Sequence, residues 1–257
     1  MKHKARKRFG QNFLNDPDII ARIIGAINLA VDDQVIEIGP GKAAITRPLL
    51  ERLDSLDVVE LDRDLIPLLA GIDQTGKLHI HQADALNFDF CQLVRTGKQA
   101  RIVGNLPYNI STPLLFHLFV QHCIADMHFM LQKEVVLRLA ASPGTKQYGR
   151  LSVMAQYYCE ITPLFEIGPE CFDPAPKVTS AFVKLTPKPL HQLTARNMNK
   201  LGQVVSMAFS QRRKTLRNAL REIATVEEME AVGINPGSRA ENLAVSDFIA
   251  LGNHLDD

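Results

Sequence analysis

Residues able to hold a ligand recur at the ends of apolar runs. "QVIEIG" opens into "PGKAA", so Gly39, Gly41 and Ala44 form a G-x-G-x-x-A pattern just after Glu37. "LDVVE" ends at Glu60, 21 residues after Gly39; "KLHIHQ" leads to Asp84, and "ARIVG" runs into "NLPYNIS", with Asn105, Leu106, Pro107 and Tyr108. Glycines at this spacing let backbone approach a bound group closely, and a helix mouth behind them favours anionic or electron-rich groups. Glu60 is placed to accept hydrogen bonds from both hydroxyls of a ribose, and Asp84 from an adenine amino group. Asn-x-Pro by itself is an ordinary turn, because Pro presets φ and Asn tolerates tight backbone.

A glycine loop followed by an acid is also the dinucleotide fingerprint, so a nicotinamide oxidoreductase is a rival reading. None of the four tyrosines is followed by Lys at the fourth position, which removes the commonest Tyr/Lys hydride-transfer pair. S-adenosylmethionine (SAM) accounts for Gly39, Glu60 and Asp84 together. His79 and His81 lack a Cys or His partner at ligand spacing and read as structural, and no metal is called for.

The elements that carry these residues alternate. Strand-like runs cover 34–39, 56–61, 77–82, 100–104 and 127–132. "AAITRPLLERL", "DLIPLLAGI", "TPLLFHLFVQHC" and "KEVVLRLAAS" lie between or just after them with helical spacing. Such alternation predicts an α/β domain, a mostly parallel sheet with helices on both faces and ligands at the carboxyl ends of its strands. After a helical "YGRLSVMAQYYC" come "ITPLFEI" and "SAFVKL", a terminal antiparallel pair around a Pro-rich loop. "TPKPL" then reads as a linker, and the remainder is helical. The expected division is 1–187 for the sheet domain and 188–257 for a small all-helical one.

With 46% apolar and 22% charged residues in 257, the chain has the makings of a soluble globular protein. No apolar run reaches the length of a membrane span, and "MKHKARKRFG" lacks a signal peptide's apolar stretch, so no membrane association and a cytoplasmic location are expected. Cys91, Cys123, Cys159 and Cys171 contain no C-x-x-C pair and read as reduced, structural thiols. The net charge of +1 hides a segregation: residues 2–8 hold five Lys or Arg, including Lys4, Arg6, Lys7 and Arg8. Residues 174–221 hold ten, among them Arg212, Arg213, Lys214 and Arg217, with no acid, whereas 222–257 hold eight acids against Arg239 alone. Two basic zones on a neutral chain predict a polyanionic partner, RNA or DNA. A small-molecule dehydrogenase gives no reason for them.

"KRFGQNFLND", "EIGPGKAAIT", "VVELDRDL", "GNLPYNIS", "FDPAPKVTSAFVKL" and "SQRRKTLRNAL" resemble, in order, the signatures of the ribosomal RNA adenine dimethyltransferases. The resemblance covers residue 4 to the end. Large-subunit enzymes share the N-L-P-Y type of loop, but the Pro-rich and "SQRRKTLRN" segments look more like the small-subunit branch.

The resemblance implies a class I, Rossmann-like SAM-dependent methyltransferase domain with a small helical C-terminal domain. It also implies dimethylation of two adjacent adenosines in the loop of the 3′-terminal hairpin of 16S rRNA, late in small-subunit assembly; a monomer is expected. Asn12, Leu14, Gly39, Gly41, Glu60, Asp84 and Asn105 fall on the SAM-contacting positions, and Lys42 stands where an apolar residue would be less surprising. On this reading Asn105 and the Leu106 carbonyl accept hydrogen bonds from the adenine amino group, Pro107 turns the chain, Tyr108 stacks on a flipped-out base and Phe172 closes its opposite face. A different class of function, an assembly factor that recognises immature subunits, is compatible with the same residues.

Overall fold

A computed structural model describes residues 11–211 and 213–256. The chain divides into two compact units. One runs to Val136 and resumes over Thr162–Pro187; the other joins Leu137–Ile161 to the chain from Lys188 onward. This partition differs from the linear division at 187/188 in residues 137–161.

The first unit is built on a sheet. Strands β2 (Gln34–Ile38), β3 (Leu56–Glu60), β4 (Leu78–Gln82), β5 (Ala100–Asn105) and β6 (Ile124–Gln132) are parallel. With β7 (Cys159–Ile167) and β9 (Ser180–Pro187) they give the order β4-β3-β2-β5-β6-β9-β7, β9 antiparallel to β6. The central strands are apolar on both faces, as strands covered on both sides must be: Val35, Ile36, Val58, Val59, Ile102 and Val103 are all buried. All five expected parallel strands are present, and the two terminal strands, β9 and β7, are neighbours at the edge of the sheet.

Helix α1 (Pro17–Ile27) starts where its sequence says it should. The Asp16 side chain accepts from the Ile19 amide at 3.0 Å, Pro17 takes the first turn, and Asn28 ends the helix in the left-handed region. Its buried Ile23, Ile24 and Ile27 pack with Val35, Leu49 and Leu56. Arg101, at the start of β5, donates to both Asp126 oxygens at 3.0 Å, to Asp33 and to the carbonyls of Ile27 and Asn28. That fork ties the helix end to the strand starts, opposite the strand ends that carry the ligand-type residues.

A short pair had no sequence signal: β1 (Phe13–Leu14) lies antiparallel to β8 (Phe172–Asp173), with Leu14 opposite Phe172. Two residues are too few to show a period. The helix behind the glycine loop is also shorter than its spacing predicts. Ala43 has φ 67°, so α2 covers only Thr46–Leu50; α3 (Ile66–Ala70), α4 (Ser111–Phe119) and α5 (Lys133–Leu139) follow it.

The second unit holds α6 (Arg150–Tyr158), α7 (Met198–Ala208), α8 (Leu216–Ala219), α9 (Val226–Ala231) and α10 (Val245–His254). Its segment from Lys188 is helical, without strand, among the described residues. A Thr225/Glu228 capping box starts α9, and Phe248 and Leu251 of α10 and Leu201, Val204 and Val205 of α7 are buried.

The thiol expectation is overturned at one pair. Cys91 and Cys123 form a disulfide, while Cys159 and Cys171 are free and buried. The two partners are 32 residues apart, Cys91 in a 3-10 turn (Phe90–Leu93) and Cys123 just before β6, so no local motif announces them. Closing a loop of that length is worth roughly 3–4 kcal/mol in a chain-entropy account. Thiol titration of the unfolded, unreduced protein should therefore give two reactive groups, rising to four after reduction. Four without reduction would remove the bridge.

Candidate active site

A cavity of about 300 Å³ lies at the carboxyl ends of β2 to β5. Asn12, Leu14, Gly39, Gly41, Glu60, Asp84, Asn105, Leu106, Pro107 and Tyr108 all line it, so the strand-end residues singled out by spacing converge. Gly39 and Gly41 have φ of 66° and 56°, where L side chains are strained. A Cβ at Gly41 would also press to 3.1 Å from the Phe13 ring.

Each acid is held. Glu60 accepts from the Asp62 amide at 2.8 Å and, with its other oxygen, from the Gly41 amide at 3.3 Å, which joins the end of β3 to the glycine loop. Burial raises its pKa against these bonds. Asp84 accepts from the Leu86 amide at 3.0 Å and from Asn87 at 3.1 Å. Each carboxylate oxygen has a second lone pair for a ligand donor.

The Asn105 amide is oriented by the segment that precedes α1. Its Nδ2 donates to the Asn12 carbonyl at 2.8 Å, which turns Oδ1 the other way as an acceptor. Leu106 donates its amide to the Met130 carbonyl at 3.2 Å, fixing the peptide that follows Asn105. Tyr108 is half-buried, its hydroxyl 2.6 Å from that of Ser180. Lys42 also acquires a reason. Its ammonium lies 4.4 Å from the centre of the Phe13 ring and 3.8 Å from Asp173, so it bridges the β1–β8 pair to the glycine loop.

Phe172 is not one of the residues that line the cavity. Its pairing with Leu14 turns it into the core beside Ile167, Cys171 and Phe182, at 4% exposure. Of the basic residues, Arg213, Lys214 and Arg217 are exposed; Lys4, Arg6, Lys7, Arg8 and Arg212 lie outside the described residues.

Three features of the cavity go beyond the sequence reading: two lining residues that it does not single out, and the burial of Glu37, which it names only by position. Leu61, next to Glu60, is 49% exposed although apolar, and it lines the cavity with Ala85, next to Asp84. Their signal was available: an apolar residue following each strand-end acid. The third is Glu37, buried at the end of β2, whose Oε2 has no hydrogen-bond partner among the described residues. Burial, with the neighbouring Glu60 adding to it and the Thr46 hydroxyl opposing it, pushes its pKa up to about 8.

An unpartnered carboxyl oxygen, two acids suited to ribose and adenine, and a glycine loop fit a cationic nucleoside such as SAM. Together with the sheet order they define a Rossmann-like, SAM-dependent methyltransferase. Residues 2–257 match the family model described as Ribosomal RNA adenine dimethylase. The chain belongs to that family, and it is a SAM-dependent ribosomal RNA adenine dimethyltransferase.

It is similar to Ribosomal RNA small subunit methyltransferase A of Vibrio cholerae, 56% identical over 256 residues, covering 99% of this chain and 94% of that protein. The protein of the same name from Aliivibrio salmonicida is 54% identical over 257 residues, covering 99% and 93%. Among solved structures, a dimethyladenosine transferase from Plasmodium falciparum superposes with a TM-score of 0.77 at 25% identity, over 93% of this chain and 95% of that one. The 23S rRNA methyltransferase ErmE shares the fold, with a TM-score of 0.73 at 24% identity over 96% and 100%.

Glu37 makes the stability of the free protein depend on pH. An unfolded carboxyl ionises near 4.5 while the native one stays protonated up to about 8. Its contribution is therefore full at low pH and is lost as pH rises across that window. Glu37→Gln, neutral throughout, should flatten the fall in thermal midpoint between roughly pH 5 and 8. An unchanged slope would count against the burial of an uncharged Glu37.

Proposed function

We propose that this enzyme dimethylates the 6-amino groups of two adjacent adenosines in the loop of the 3′-terminal hairpin of 16S rRNA, within the small ribosomal subunit and late in its assembly. It would act as a monomer in the cytoplasm. Relatives named for the small subunit, at 54% and 56% identity over nearly the whole chain, support the choice of subunit. The observation that carries the site assignment is the convergence of Asn105, Leu106, Pro107 and Tyr108 on the cavity lined by Gly39, Glu60 and Asp84.

The adenine 6-amino nitrogen is a poor nucleophile because its lone pair is delocalised into the ring. SAM supplies a methyl group already activated by a positive sulfur. The protein's work is therefore orientation. Asn105 Oδ1 accepts from one amino hydrogen and the Leu106 carbonyl from the other, which aligns the nitrogen for in-line attack and favours the geometry with a localised lone pair. Tyr108 offers a face to the extruded base, a contact worth about 1–3 kcal/mol. Gly39, Gly41, Glu60, Asp84, Asn12 and Leu14 hold the nucleoside and methionine parts of SAM, with Leu61 and Ala85 beside the adenine. Glu37 faces a cationic centre. The exposed Arg213, Lys214 and Arg217, with the basic residues of positions 2–8, bind RNA phosphates.

Asn105→Ala is expected to abolish methyl transfer to undermethylated small subunits, mapped as dimethyladenosine, while subunit binding persists. Near-normal methylation by that variant would sink the assignment of the loop. Subunit affinity should fall steeply with salt, and replacing Arg213, Lys214 and Arg217 together by Gln should make the log–log slope shallower by about 2–3. A slope equal to that of the parent protein would show that these side chains do not meet phosphate.

A further inference from the structure

The Tyr108–Ser180 contact joins two segments 72 residues apart in the chain. Ser180 is completely buried and belongs to the sheet: it pairs with Gln132 in the β6–β9 ladder, and the preceding Thr179 carbonyl accepts from the Lys133 amide at 3.0 Å. Its hydroxyl is therefore placed by strands rather than by the Pro-rich loop before it. Tyr108, by contrast, stands on a turn. The Ile110 amide donates to the Pro107 carbonyl at 3.1 Å, and the Ser111 hydroxyl donates to the Tyr108 carbonyl at 3.2 Å. One end of the tyrosine is held by that turn and the other, through the 2.6 Å contact, by the sheet. Burial raises the Tyr108 pKa, which keeps the hydroxyl neutral and able to share this bond.

We propose that Ser180 is a positioning residue: its hydroxyl holds the Tyr108 ring as a fixed platform for the target base, and this tether matters most for the second of the two methyl transfers. The inference rests on the reading of Tyr108 as the base platform. In each transfer the amino nitrogen bonds to the methyl carbon, the carbon–sulfur bond breaks with its electron pair passing to sulfur, and one proton leaves the nitrogen for solvent. The unmodified amino group has two hydrogens for Asn105 Oδ1 and the Leu106 carbonyl. After the first transfer only one remains. One acceptor has lost its donor, so stacking on Tyr108 carries a larger share of the alignment in the second step. A ring free to swing would release that step before it impaired the first.

The test compares parent protein, Ser180→Ala, Tyr108→Phe, the double variant and Tyr108→Ala, each with SAM and undermethylated small subunits. The ratio of monomethyl- to dimethyladenosine, SAM affinity and thermal midpoint are read for each. Ser180→Ala and Tyr108→Phe should each raise the monomethyl fraction about fivefold, the scale of one net hydrogen bond, with SAM affinity unchanged. The double variant should match either single one, since both remove the same contact. If Ser180→Ala does not fold, Tyr108→Phe, which leaves the buried serine in place, carries the test. An unaltered ratio in Tyr108→Phe, or single effects that add in the double variant, would overturn the tether. Failure of the platform reading looks different: Tyr108→Ala would then perform both transfers at the parent rate.

Discussion

The site depends on how closely the ends of β2 and β5 approach. Ile38 and Gly104 are register partners, and a Cβ on Gly104 would lie 2.6 Å from the Ile38 carbonyl oxygen, inside any real contact. Only glycine lets the two strands finish side by side at this level. One residue further on, the chains diverge into the two loops that matter, Gly39 leading the glycine loop and Asn105 leading the N-L-P-Y turn. The separation of the glycine loop from the N-L-P-Y turn is thus set by a backbone contact in the sheet, not by the loops themselves.

From that base the remaining groups are placed by a chain of short bonds. Glu60 ties the end of β3 to the Gly41 amide, and the Asn12 carbonyl aims the Asn105 side chain. Lys42 and the β1–β8 pair hold the segment around Asn12 against the glycine loop. A polar cavity floor with an uncharged Glu37 is a reasonable cost for a site whose ligand brings positive charge, because buried carboxyls are neutralised when no cation is near.

The second unit contributes a different property. In its segment from Lys188, the described Arg213, Lys214 and Arg217 are exposed, while the acids are gathered from Glu222 onward. Charge of one sign confined to one stretch produces a local field although the chain is almost neutral, and such a field acts on phosphate without regard to base identity. Base identity is left, in the proposed mechanism, to the loop after β5 in the other unit.

Much of the architecture was legible in the residues because it is written in local terms. Parallel buried strands are short apolar runs, their ends carry Gly39, Glu60, Asp84 and Asn105, and the α1 caps are adjacent residues. Asp16, Pro17 and the isoleucine spacing need no distant partner to take effect. What sequence could not specify were pairings between remote segments: Cys91 with Cys123, Leu14 with Phe172, the Asn12 carbonyl with Asn105, Tyr108 with Ser180. The depth of Glu37 belongs with these, since a glutamate beside a glycine loop reads the same whether wet or dry. Each of these depends on which side chains or backbone groups meet across the folded sheet, and only tertiary structure decides that, because separation along the chain carries no information about proximity once strands cross over.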